Sequence, residues 1–338
     1  MKIKFYSPTI KRKEMDAVLT AMVEGKIGPG EHTKFLLQAV REKIHFDHCL
    51  ALRSPVLALN LALKSLGLEK NQGVVISALS PLYYKKVIED LGLIPIYCDV
   101  LPSTVSLTSE TVEKALSNIS KDLKPGCIIL HHVLGYLSDG EGLKDLGLPI
   151  IEDWSQSYGS ASTEIPVESS GLFTMIGLEE RDMFTSGGGA LLYSMGNNVI
   201  EQNLPPEYGL PDMNAALALV QFKEFSKNIS KRREIAHLYT QSALRTRHKM
   251  FVFQGEYNNY SFPLILEKGL KDVKTYARKK DIALESAFEN TLIGCGVIAP
   301  EICPIAYSLS LRTVIFPLYP RLGMTDAGKV AKLIQTLP

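Results

Sequence analysis

Between about residue 50 and residue 190, short apolar runs alternate with stretches whose apolar positions recur at i, i+3 and i+4. Short continuous runs read as buried strands, and the periodic stretches between them as helices that cover a sheet. The predicted strands are Cys49-Leu52, Val74-Ser77, Ile94-Cys98, Cys127-His131 and Pro149-Glu152, with a hairpin-like pair at Leu172-Ile176 and Gly189-Tyr193. Val56-Leu66 and Leu82-Leu91 are predicted helices; they run into Gly67 and Gly92, a residue that accepts the left-handed turn closing many helices. Strand and helix alternate, which predicts an α/β unit with a largely parallel sheet.

The second half has a different rhythm. Asp212 to Leu244 reads as one long helix or two in line, with Met213, Ala216, Leu217, Val220 and Phe222 forming its apolar set. The basic turn Lys231-Glu234 reads as a solvated helix face. Phe251-Phe253 and Tyr260-Leu266 are predicted strands, Leu270-Lys280 a helix, and a closing helix starts at Asp326. The expected division is a large domain over 1–225 and a smaller C-terminal α+β domain over 226–338.

Composition narrows the function. The 338 residues carry 37 basic and 36 acidic side chains, a net charge of +1, so no broad field favours nucleic acid or an anionic membrane. A small ligand, recognised locally, is expected instead. The five cysteines are scattered, with no CxxC pair and no histidine at metal spacing, so no metal is expected; four flank apolar residues and read as reduced core thiols. The N-terminal stretch lacks the apolar run of about 7–15 residues found in signal peptides, and no run approaches the roughly 20 residues of a membrane span. A cytoplasmic location is expected.

Three ordered stretches carry a resemblance. Leu148-Pro-Ile-Ile-Glu-Asp-Trp-Ser-Gln-Ser-Tyr-Gly159 is similar to a "viEDaaqalGa" segment; Pro211 to Phe222 with Lys231 to Tyr239 is similar to "selqAAiglaQL...kRreiAerY"; Cys303-Pro-Ile-Ala-Tyr307 with Ile315 to Pro320 is similar to "cPvAe...vlsLPlyP". Gly28-Pro29-Gly30 and the turn Gly187, Gly188, Gly189 add an early Gly-Pro turn and a "GEGG"-like turn. Together they resemble the DegT-type (DegT/StrS) sugar aminotransferases, enzymes that use pyridoxal phosphate (PLP) to pass an amino group from glutamate to a keto-sugar nucleotide. The resemblance implies PLP-transferase fold type I, with a mostly parallel seven-stranded sheet between helices in the large domain. It implies that Asp153 pairs with the pyridine nitrogen, that Gln156 contacts the ring substituents, and that Thr174 and the stretch Ser54, Pro55, Val56 lie at the cofactor. It further implies a homodimer, with the site at the subunit interface.

The chain departs from that pattern at the centre of the chemistry. No lysine occurs between Lys144 and Lys223. The Schiff-base position falls on Arg181 in an ungapped reading, or on Glu179 if Phe173-Thr174-Met175 matches the family's "fSf". Transamination through PLP needs a primary amine that forms an imine and shuttles a proton; a guanidinium stays protonated and a carboxylate forms no imine. The phosphate-binding "sSGTaAL" becomes Arg53-Ser-Pro-Val-Leu-Ala-Leu59, which removes one N–H and one hydroxyl at a helix N-terminus. The ring-stacking aromatic aligns with Pro81, although Tyr83 or Tyr84 reaches the same space in a shifted turn, and the "gyNyRm" element becomes Pro206 to Leu210.

The expectation is an aminotransferase-like protein of polysaccharide or amino-sugar biosynthesis that lacks Schiff-base activity. It would bind a nucleotide sugar and pair as a homodimer or as a heterodimer with an active homologue. The alternatives are an active enzyme with a displaced lysine, Lys223, Lys85 or Lys86, and a lysine-independent dehydratase in which Glu179, Glu180 or Asp153 moves the proton.

Overall fold

The computed structural model describes residues 2–44, 46–160, 171–194, 204–253, 255–267 and 269–338. The strands are β1 (His48–Leu52), β2 (Gly73–Ser77), β3 (Ile94–Cys98), β4 (Pro125–His131), β5 (Ile150–Asp153), β6 (Phe173–Gly177), β7 (Ala190–Ser194), β8 (Phe262–Ile265), β9 (Glu285–Ser286) and β10 (Thr313–Phe316). The helices are α1 (Arg12–Val23), α2 (Glu31–Arg41), α3 (Pro55–Ser65), α4 (Leu82–Asp90), α5 (Ser109–Ser117), α6 (Gly140–Lys144), α7 (Asp212–Lys223), α8 (Phe225–Ala243), α9 (Leu270–Lys279), α10 (Pro304–Arg312) and α11 (Met324–Gln335).

The first seven strands form one sheet in the order β1-β7-β6-β5-β4-β2-β3. Strands β3, β2, β4, β5 and β6 run parallel, and β7 is antiparallel to both β6 and β1. The middle strands β2, β5, β6 and β7 are buried along their whole length, which explains why they read as continuous apolar runs rather than as alternating patterns. Ser54 starts α3 by accepting from Leu57 N at 3.3 Å, and Pro55 occupies the first helical turn, where a missing N–H costs nothing.

The parallel register sorts side chains by face. His131, Asp153 and Met175 are paired neighbours, as are Leu130, Glu152 and Thr174 one residue earlier. Successive residues of a strand point to opposite faces. Asp153 and His131 therefore share one face of the sheet, and Glu152 and Thr174 the other.

A smaller antiparallel sheet, β8-β10-β9, packs with α8, α9 and α11 around a core of its own that includes Tyr239, Phe262, Val314, Phe316 and Val330. Residues from the last third also join the large core: Phe288, Leu292 and Ile293 pack with the side chains of β2 and β4.

Asp212 ties the N-terminal segment to α7. Its carboxylate accepts from His32 N (3.1 Å) and Thr33 N (3.0 Å), capping α2 from a distance in sequence of about 180 residues. Buried Gln221, on the same helix, donates to Thr9 O at 2.6 Å and Glu14 Oε1 at 3.1 Å, and so holds α1.

Two expectations are corrected. Phe251-Phe253 is not a strand: Phe251 and Phe253 turn inward onto the Tyr136 ring at 5.6 and 5.9 Å, so their alternating apolar signal comes from an aromatic cluster and not from a ladder. The basic turn Lys231-Glu234 is not wholly a solvated face: Arg232 is only 6% exposed, while Lys231 and Glu234 pair on the outside. Of the two readings of Asp212–Leu244 the structure has two helices, α7 and α8, which meet at Glu224. The cysteines are all free; Cys98, Cys127 and Cys303 are buried, Cys49 is half-buried and Cys295 is exposed.

Candidate active site

A cavity of about 470 Å³ opens where the carboxyl ends of β4 and β5 face the small sheet. Its walls come from the large sheet and its loops (Leu79, Pro81, His131, Gln156, Asp182), from α8 (Arg232) and from the small sheet (Glu285, Ile315, Phe316). In open α/β sheets this edge is where ligands bind, because the strands end there and the loops diverge.

Asp153 lies buried just behind the wall, next to the lining residue His131. Only 1% exposed, it accepts from Ser155 N at 2.8 Å, from the Ser155 hydroxyl and from the hydroxyl of fully buried Tyr84. His131 Nδ1 stands 3.5 Å from Asp153 Oδ2, at the outer limit of hydrogen-bonding reach. Burial alone would raise the Asp153 pKa, but the bonds and charge from His131, with those from Ser155 and Tyr84, outweigh it and hold the carboxyl below its usual range. Tyr84 reaches Asp153 because α4 begins at Leu82, just after Pro81, and turns its third residue inward; Tyr83, half-buried, rests edge-on against Tyr84 with ring centroids 4.9 Å apart.

Asp182 stands nearby in the opposite protonation regime. Its Oδ2 accepts from Glu179 N at 2.9 Å, closing the tight turn after β6. A Cβ on Gly177 would come within 2.2 Å of that oxygen and 2.8 Å of Ser155 Oγ, so the bare backbone at 177 is what lets both groups sit against β6. Burial, reinforced by the negative charges of Asp153 and Glu179 against the pull of the Glu179 N–H, pushes its pKa up to about 7.

The two readings of the lysine position have different fates. Glu179 lies on the cavity rim, exposed. Arg181 crosses the cavity: its guanidinium pairs with both oxygens of Glu285 at 2.7 and 3.2 Å and covers the rings of Phe5 and Tyr6 at 5.5 and 5.8 Å. Arg232 is buried and donates from Nη1 to the carbonyls of Tyr260 (2.9 Å), Leu318 (3.1 Å) and Asn259 (3.3 Å). No carboxylate among the described residues pairs with it, so Arg232 contributes an unmatched positive charge to the cavity wall.

Of the other predicted residues, Gln156 is in the wall, its Oε1 accepting from Leu134 N at 2.7 Å. Thr174 is not: it is buried on the face of β6 opposite Asp153, level with Glu152. Ser54, Pro55 and Val56 lie at the start of α3, outside the cavity lining; Val56 is 46% exposed. Arg53 is turned away, its Nε donating to Glu207 O at 2.8 Å. Gly187, Gly188 and Gly189 all have positive φ (77°, 136° and 121°); at Gly189 a Cβ would meet Leu210 Cδ1 at 2.4 Å, so the turn needs glycine for shape.

His131 was missed in the sequence. The signal was present, since two adjacent histidines end a buried strand and period-two geometry sends only one of them to the Asp153 face. Its neighbour His132 goes the other way, its Nε2 meeting Glu152 Oε1 at 2.9 Å and its Nδ1 accepting from Ser138 N at 3.1 Å.

The architecture is that of the PLP-dependent aminotransferases. The assigned sugar aminotransferase Spr1654 of Streptococcus pneumoniae, solved in apo, PMP and PLP forms, superposes with a TM-score of 0.88 in the apo form, at 20% identity over 99% of this chain and 97% of that one. GDP-4-keto-6-deoxy-D-mannose-3-dehydratase of E. coli, with hydrated PLP, gives a TM-score of 0.83 at 15% identity over 99% and 100%. The model of the DegT/DnrJ/EryC1/StrS aminotransferase family matches residues 8–202 and 194–335, and the chain belongs to that family. L-glutamine:2-deoxy-scyllo-inosose aminotransferase of Streptomyces lividus is 29% identical over 170 residues, 49% of this chain and 39% of that protein's length.

At the positions expected to meet the cofactor, Asp153 Oδ2 accepts from Tyr84, the start of α3 carries Pro55 and Val56, and among the described residues no lysine lines the cavity. Among the described residues no cluster of three or more His, Cys, Asp or Glu is arranged to hold a metal ion, and no helix is long and apolar enough to cross a membrane.

Proposed function

We propose that the chain is a nucleotide-sugar aminotransferase-like protein of polysaccharide or amino-sugar biosynthesis that binds a nucleotide-linked sugar in its cavity without Schiff-base transamination. The observation that carries this reading is the Arg181–Glu285 pair in the cavity wall, with Arg181 at one of the two positions, Arg181 or Glu179, expected for the amine. Arg232, a buried cation without a carboxylate partner, supports an anionic ligand such as a diphosphate. Family membership supplies the sugar class.

The displaced-lysine alternative has little to work with. Lys85 pairs with Glu89 at 2.5 Å, Lys86 pairs with Asp90, and Lys223 is exposed at the end of α7; none lines the cavity. The test is a titration with PLP followed by borohydride, run beside calorimetry with UDP-, GDP- and dTDP-linked sugars. An aldimine absorption band that borohydride bleaches refutes the reading, as does failure to bind any of the sugars.

On the same family grounds we place the protein in the cytoplasm, divide it near residue 225 and pair it with a second copy or with an active homologue. Exposed Met15, Leu19, Met22 and Val23 on α1 offer an apolar face for such pairing. A monomer by light scattering, alone and mixed with a purified homologue, would remove this part.

A further inference from the structure

We propose that His131, oriented by Asp153, and Asp182 form a cofactor-independent proton-transfer pair acting on the carbon beside the carbonyl of a keto-sugar held in the cavity. The inference rests on the ligand reading above and adds a reaction to it.

Three observations carry it. His131 and Asp182 both line the cavity, one from the end of β4 and the other from the turn after β6. His131 Nδ1 stands 3.5 Å from Asp153 Oδ2 with no hydrogen bond in place, so charge aligns the ring, and the proposal gives the other nitrogen, Nε2, to the ligand. Gly177 leaves the space that the Asp182 carboxyl fills, and Ser155, hydrogen-bonded to Asp153, lies against the same glycine. Proton affinities then separate the two acids: Asp153 is held below its usual range, while Asp182 titrates near about 7 and is present in both forms at neutral pH. Asp182 is faced by Asp153 from β5, by Tyr83 from α4, by Tyr260 and Tyr6 from the loops across the cavity, and by Glu179 within its own turn.

The step balances within the ketone. Ionised Asp182 takes the proton from the carbon beside the carbonyl, the C–H electron pair becomes the carbon–carbon double bond, and the carbonyl π pair moves onto oxygen. That oxygen takes the proton that the His131 ring presents on Nε2, giving the enol. Reversal restores the ketone with the same configuration, because Asp182 returns a proton to the face it left; exchange of that acid proton with solvent is what puts deuterium on the carbon. Nothing is oxidised or reduced, and no group leaves.

The experiment incubates the purified protein in D2O with GDP-4-keto-6-deoxymannose and follows deuterium entry beside the carbonyl by proton NMR, with binding measured by calorimetry. Exchange well above the protein-free rate is expected, rising with pH as Asp182 ionises. Asp182→Asn and His131→Gln are each expected to lower the exchange rate by about 100-fold or more while Kd changes far less. Asp182→Glu, which keeps a carboxyl, should retain measurable exchange.

Binding without exchange overturns the inference and leaves the proposed binding role standing; absence of binding overturns both. Exchange that survives Asp182→Asn overturns the assignment of that residue. The wild-type measurement needs no variant, so a variant that fails to fold leaves it decisive.

Discussion

Replacing Asp182 by asparagine should change how the stability of this protein depends on pH. The native carboxyl titrates near about 7 against 3.8 for a free aspartate. Between those values the folded chain keeps a proton that the unfolded chain releases, so stability is fully present below about 4 and declines as pH rises toward about 7. Three units at about 1.36 kcal/mol each give a ceiling of about 4 kcal/mol. Asp182 borders a cavity that admits water, which lowers the expected effect to about 1–3 kcal/mol. Asparagine keeps the acceptor for the Glu179 N–H and cannot titrate. Urea unfolding of both proteins at constant ionic strength, in steps from about pH 4 to about pH 8, isolates the term, because all other groups cancel in the difference. The variant should gain on the wild type as pH rises and level off above about 7. Parallel curves, or a variant that loses ground with rising pH, would refute the placement of this carboxyl in a desolvated site.

Gly177→Ala forces a Cβ to 2.2 Å from Asp182 Oδ2, so a loss of about 1–3 kcal/mol is expected by urea unfolding. Tyr84→Phe removes a buried donor from Asp153 and should cost about 1–3 kcal/mol at neutral pH, a loss that shrinks in acid as Asp153 takes up a proton; equal losses at both pH values would count against the bond. Asp212→Ala uncaps α2 and should cost about 1 kcal/mol, with early hydrogen exchange at His32 and Thr33 as the local marker.

The large sheet was legible because β2, β5, β6 and β7 are buried throughout and separated by helices of clear period. Asp153 was placed at a strand end because a carboxylate after an apolar run marks the sheet edge. Less could be seen of groups whose position depends on register. Which of His131 and His132 faces Asp153, and on which face Thr174 lies, follows from strand pairing and not from order in the chain. Asp182 stayed hidden for another reason: its surroundings come from β5, β6 and α4 together, and its Gly177 neighbour looks like any other glycine in a strand. Phe251-Phe253 misled because alternation records burial, and an aromatic cluster buries as well as a strand does.

The Arg181 fork joins three parts of the chain: Phe5 and Tyr6, the turn after β6, and Glu285 of β9. A lysine at 181 would keep a charge for Glu285 yet give up the planar, two-pronged grip and the stacking on both rings. The fork therefore works as a clasp: one side chain fastens the N-terminal segment and the small sheet to a loop of the large sheet, so that a single change there loosens all three together.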